Sequence, residues 1–231
     1  MKLRLYNLIC TILIILIFFN LCISFQVISQ AANKNSCKTV IIDPGHGGED
    51  GGAVANNGIM EKDINLKISL YLKEIFEQNG FYVIMTRETD TDLSDKNLST
   101  VSGRKKSDIL KRTEICNKTD ACFVLSIHQN HFSENKYAGA QMFFGKNENS
   151  IKLAQSIQTE IINKLQLNNN REVKPGNGIY LLENVTKPII IAECGFISNE
   201  TDLKNLTNNE YIKQLALVIY MGCAKYLSEA S

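Results

Sequence analysis

Three histidines occur in the chain, and two of them stand where apolar runs end. His46 lies in Asp43-Pro44-Gly45-His46-Gly47-Gly48, directly after the run 39–43. A histidine in a glycine-rich turn at a strand end is well placed to ligate a metal. Such turns can also bind phosphate, but that reading is disfavoured because no Gly-Lys-Ser/Thr follows. His128 closes the run 122–127, with His131 three residues on, and either could be a ligand. Glu193 ends the run 188–192. Acids are seldom buried unless paired or functional, so Glu193 is a candidate general base. The plainer alternative is a surface acid just past the strand. Glu61 opens a helical stretch after the turn Asn57-Gly58. An acid there suits the helix dipole, yet the strand–loop–helix connection also returns it toward His46. Two histidines, one carboxylate and an open position make a catalytic zinc set. A further glutamate could then take the proton of the attacking water.

These residues need a framework that gathers strand ends. Short apolar runs at 39–43, 81–86, 121–127, 140–144, 179–182 and 188–194 read as strands. Between and after them, 61–78, 102–117, 150–166 and 208–227 carry apolar residues at helical spacing. Strands alternating with amphipathic helices predict an α/β sandwich, with a mixed, mostly parallel central sheet flanked by helices. In such sheets functional groups gather beyond the strand ends.

The remaining composition narrows the classes. The 231 residues include 25 Lys+Arg and 24 Asp+Glu, and 44% are hydrophobic. That balance suits a packed globular domain and excludes wholesale disorder. The formal charge of +1 argues against a dedicated nucleic-acid binder. Lys2 and Arg4 precede an apolar run to about residue 28, followed by Ser29-Gln30-Ala31. Residues 1–31 therefore read as an export signal or a retained membrane anchor, 32–38 as a linker, and 39–231 as one catalytic domain. Without Lys2 and Arg4 the remainder has 23 basic and 24 acidic residues, so no broad positive field draws in an anionic partner. Five of the seven cysteines lie beyond residue 31 with no CxxC pair, which is not a disulfide framework. Cys116 and Cys122 are close enough in sequence to pair, though free thiols suit their apolar settings better. Arg104-Lys105-Lys106 with Lys111-Arg112 reads as a solvated helix face, or as a patch for anionic glycan or a partner.

Six segments in order resemble one family: 41–53 (IIDPGHGGEDGGA), 58–66 (GIMEKDINL), 85–90 (MTRETD), 112–117 (RTEICN), 120–130 (DACFVLSIHQN) and 187–199 (KPIIIAECGFISN). Together the chain resembles the zinc-dependent N-acetylmuramoyl-L-alanine amidases (amidase_3 type), which cut peptidoglycan. The resemblance implies a zinc-peptidase/phosphorylase-hydrolase-like fold and a Zn2+ cofactor. It maps the metal ligands onto His46, Glu61 and His128 and the catalytic glutamate onto Glu193, leaving His131 a non-ligand. It also implies hydrolysis of the amide between N-acetylmuramic acid and L-alanine of the stem peptide. A single domain without a blocking helix between 128 and 193, behind an N-terminal signal, is most similar to the sporulation amidases of the spore cortex. There, peptide removal precedes formation of muramic-δ-lactam. The partners implied are peptidoglycan of cortex or cell wall and an activating protein. Contact with a membrane is expected through the N-terminal segment alone, with extracytoplasmic action, in a spore former between the forespore membranes. The rivals are a zinc peptidase or carboxypeptidase of the stem, a vegetative wall amidase, a hydrolase using Cys194, and a non-catalytic wall-binding protein.

Overall fold

The structure, a computed structural model, describes residues 37–229. The expected signal or anchor, and residues 32–36 of the expected linker, lie outside the described residues. No helix among the described residues is long and apolar enough to cross a membrane.

Element order follows the expected alternation. Strand β1 (Thr39–Pro44) leads to helix α1 (Glu61–Gln78), β2 (Tyr82–Met85), α2 (Val101–Lys118), β3 (Val124–Asn130) and β4 (Gln141–Phe144). Then come α3 (Glu148–Lys164), β5 (Lys174–Pro175), α4 (Tyr180–Asn184), β6 (Ile189–Phe196), α5 (Glu200–Leu206) and α6 (Asn209–Glu229). The sheet order is β2-β1-β3-β6-β4-β5. Pairs β2/β1, β1/β3, β3/β6 and β4/β5 are parallel, and β4 runs antiparallel to β6.

The central strands β1, β3 and β6 are buried on both faces, which is why their sequences read as unbroken apolar runs. One face packs against Ile64, Ile68, Leu72 and Phe76 of α1, Leu153 and Ile157 of α3, and Leu215 and Ile219 of α6. The other face, through Ile41, Val124, Ile189 and Ile191, meets Cys116 of α2 and Leu181 and Leu182 of α4.

Three expectations change. Residues 180–182 form the start of helix α4, with Ile179 as its N-cap, rather than a strand. Short apolar runs carry no decisive period, and burying Leu181 and Leu182 side by side suits one helical turn over the sheet. Cys116 is a buried free thiol, whereas Cys122 is disulfide-bonded, so those two do not pair. Arg112 is not on a solvated face. Its side chain is 2% exposed, because α2 turns it inward to a buried acid.

Candidate metal and catalytic site

The site lies beyond the carboxyl ends of β1, β3 and β6, where the loop 45–53 folds back over the sheet. That loop reverses sharply: His46 has φ 62, a left-handed conformation rare outside glycine, and Gly47, Gly48 and Gly52 are also at positive φ. Such a backbone persists only where its surroundings hold it, and two arginines do so. Arg87 donates to the carbonyls of Pro44 (2.9 Å) and Gly45 (2.9 Å). Arg112 donates to those of Pro44 (2.8 Å) and His46 (2.7 Å). Arg112 is itself fixed by Asp43 at 2.6 Å, and Asp43 also accepts from Thr86 and Ser126. Burial pulls the Asp43 carboxyl up, but the Arg112 charge and these donors outweigh it and hold it at about 2.

His46 Nδ1 pairs with Asp50 at 2.7 Å, which leaves Nε2 facing Glu61 at 3.3 Å. Glu61 is the first residue of α1, and its side chain is 5% exposed. Ala53 N–H donates to one carboxylate oxygen, and Gln129 N–H and Asn65 donate to the other. His128 Nδ1 stands 3.1 Å from Glu61 Oε1. Ligand atoms of His46, Glu61 and His128 lie within 4.8 Å of one another, the one such cluster among the described residues. His131 is exposed and is not part of it.

Glu193 stands beside His128, paired with it in the parallel β3/β6 ladder and therefore on the same face. Its Oε2 is buried without a hydrogen-bond partner. Burial, reinforced by the charge of Glu61, pushes its carboxyl up to about 7, with His128 and His46 acting the other way. Burial pulls the His46 imidazole down, but Asp50 and Glu61 more than offset this and hold it up at about 9. The hydrogen bonds of both histidines keep Glu61 well below the usual carboxylate range despite its burial.

The donor set suits zinc, which takes imidazole nitrogen and carboxylate oxygen in four-coordinate sites with one open position. The loop is shaped around it. A Cβ at Gly45 would land on the His128 ring, and one at Gly52 would press on Glu61 and His46. Asp50 completes the arrangement, since a metal-ligating histidine usually donates its other ring nitrogen to a carboxylate. The rival nucleophile Cys194 is fully buried in the core cluster on the opposite face, with burial pushing its thiol far up.

Sequence reasoning placed His46, Glu61, His128 and Glu193 at strand ends and a helix start, and the fold brings all four together. It missed the supporting roles of Asp43, Asp50, Arg87 and Arg112. The signal lay in segments 41–53, 85–90 and 112–117, whose charged residues border apolar positions.

The family model for N-acetylmuramoyl-L-alanine amidase matches residues 40–225. A germination-specific N-acetylmuramoyl-L-alanine amidase of Bacillus subtilis is 40% identical over 195 residues, covering 84% of this chain and 81% of that protein. Among solved structures, the CwlD amidase of Clostridioides difficile in complex with the GerS lipoprotein superimposes with TM-score 0.80 at 43% identity, covering 83% and 98%. An N-acetylmuramoyl-L-alanine amidase of Clostridium difficile 630 gives TM-score 0.74 at 28% identity, covering 85% and 100%.

Proposed function

The chain belongs to the N-acetylmuramoyl-L-alanine amidase family, and from that premise we propose that it hydrolyses the bond between N-acetylmuramic acid and L-alanine in peptidoglycan. The observation that carries this reading is the convergence of His46, Glu61 and His128 within 4.8 Å, with the unpartnered Glu193 carboxyl beside them.

His46, Glu61 and His128 would hold zinc. Bound there, it supplies a Lewis acid for the scissile carbonyl and the attacking water. Glu193 accepts the proton of that water and returns it to the departing alanine amine. Its lack of a fixed partner leaves Oε2 free for both transfers. Asp50 holds His46 in one orientation, and the Ala53 and Gln129 amides hold Glu61. Beneath the site, Ile41, Val124 and Ile189 form a buried apolar row across the sheet.

The similarity to a germination-specific amidase supports a role in the spore cortex, ahead of muramic-δ-lactam formation. The similarity to a structure solved with a lipoprotein supports a lipoprotein-type activating partner for this chain. Both similarities support action outside the cytoplasm.

The test is mass analysis of purified peptidoglycan digested with zinc-loaded protein. Intact stem peptides beginning with L-alanine are expected. Shortened stems still attached to glycan would instead establish a peptidase. Loss of muramic-δ-lactam from spores lacking the protein is expected for the cortex role, and unchanged spores would overturn it.

A further inference from the structure

We propose that Arg171 binds a carboxylate of the substrate's stem peptide and so selects acidic stems. The proposal rests on the amidase reading above, and it names the peptide-binding side of that same site. Gln141 of β4 pairs with Glu193 in the antiparallel β4/β6 ladder, as Glu193 pairs with His128 in β3/β6. Paired residues point to the same face, so His128, Glu193 and Gln141 form one row across the sheet.

Arg171 continues that row. Its Nη1 donates to Gln141 Oε1 at 3.1 Å, and its Nε donates to the Ala138 carbonyl at 2.8 Å. Its guanidinium lies 4.5 Å above the Phe196 ring and 5.9 Å from the Tyr137 ring. Phe196 reaches that face because the β3/β6 register shifts after His128, so that Phe196 pairs with Asn130.

The guanidinium is preorganised and makes no ion pair, the buried Asp202 carboxylate acting on it only at a distance while accepting from the Phe196 and Gly139 amides. Among the described residues no carboxylate lies within ion-pair distance of it. Its Nη2 takes part in no hydrogen bond, and the side chain is half-buried at the edge of the site. The loop that carries it is pinned, since Asn169 accepts from Arg171 N–H and donates to the Ala140 carbonyl. A planar, stacked and fixed guanidinium is suited to carboxylates.

The spacing also fits. Adjacent strands lie about 4.8 Å apart, so Gln141 stands roughly 10 Å from His128. Two residues of extended chain span about 7 Å. The stem residue after L-alanine is a glutamate linked through its side chain, which leaves its α-carboxylate free. With the scissile carbonyl between His128 and Glu193, that carboxylate comes level with Arg171.

The test uses two synthetic muramoyl dipeptides that differ only at the second residue, α-carboxylate in one and α-carboxamide in the other. For the zinc-loaded protein, kcat/KM should favour the acid by about 10- to 100-fold, as expected for a charge-assisted pair. The Arg171→Met variant should bring the acid-to-amide ratio near one, chiefly by raising KM for the acid, and Arg171→Lys should keep part of it. A loop-supporting role would lower both substrates together and leave the ratio unchanged, which would overturn the proposal. A binding measurement needs no turnover: the Glu193→Gln protein should bind the free acidic dipeptide more tightly than its amide, by calorimetry. If the wild type cleaves both substrates equally, the amidase reading stands and the Arg171 assignment falls. If it cleaves neither, the amidase reading falls first.

Discussion

The Arg112→Leu substitution tests whether the metal loop is held from below by a buried ion pair. Both side chains are almost sealed from water, Arg112 at 2% and Asp43 at 1% exposure, with 2.6 Å between them. Leucine would leave Asp43 with hydroxyl donors from Thr86 and Ser126 and no counter-charge. Breaking a buried pair from one side costs about 3–5 kcal/mol. The same change frees the His46 carbonyl, which Arg112 clamps while that residue sits at φ 62. In a domain of this size each kcal/mol lowers Tm by roughly 2–4 °C, so a fall of about 6–20 °C is expected. Thermal unfolding followed by circular dichroism, without metal, measures it. Adding Asp43→Asn should recover more than about 1 kcal/mol, because a neutral amide no longer needs the guanidinium. A melt within about 3 °C of the parent, or strictly additive costs, would refute the reasoning.

Acid sensitivity follows from the same pair. The Asp43 carboxyl is held at about 2 against an ordinary 3.8, so its contribution of roughly 2 kcal/mol is present above about pH 4 and is lost as pH falls through about 2. Urea melts across that range should fall less steeply for Asp43→Asn than for the parent. Gly45 is not in a left-handed conformation, yet a Cβ there would strike the His128 ring. Gly45→Ala should therefore lower zinc affinity by about 100-fold, read by chelator competition, while Tm moves by only a few degrees. Glu193→Gln should cut kcat by about 100-fold or more with zinc content unchanged, whereas Cys194→Ala should stay within about threefold of the parent. The opposite pattern would restore the cysteine reading.

What the sequence disclosed and what it concealed differ by range. Each of His46, His128 and Glu193 is marked by a local event, the end of an apolar run, and such an event survives in one sequence. Their supports are encoded at a distance. Arg112 reaches Asp43 across 69 residues and Arg87 reaches Pro44 across 43. Nothing local separates an arginine that points inward from its neighbours that point out, and α2 hid the difference well. Its buried residues are Arg112, Thr113 and Cys116, while Leu110 is 42% exposed, so an apolar count turns the helix the wrong way. Arg104 and Lys105 on the same helix pair with Glu49 and Asp50 of the metal loop, so part of that basic run braces the site as well. The two-residue β5 and the seven-residue α5 fall below the length at which periodicity can be read.

The unread α5 has a consequence for the site. Asp202, in its first turn and capped by Asn199, accepts from the amides of Phe196 and Gly139 at 2.8 Å each. One buried carboxylate thus ties the irregular end of β6 to the loop bearing Tyr137, and so fixes the aromatic floor under Arg171. The same strand settles which chemistry the segment Ala192-Glu193-Cys194 performs. Side chains alternate along β6, so its register against β3 decides whether the glutamate or the cysteine faces His128. The pairs Val124↔Ile189, Leu125↔Ile190 and Ser126↔Ile191 lock that register through buried side chains on both faces. A slip of one residue would put Glu193 into the core beside Leu125 and Ile127 and Cys194 beside the metal ligands, at the cost of an unpaired buried charge. The apolar runs that made these strands legible are therefore also what makes Glu193, and not its neighbour, the acid–base group.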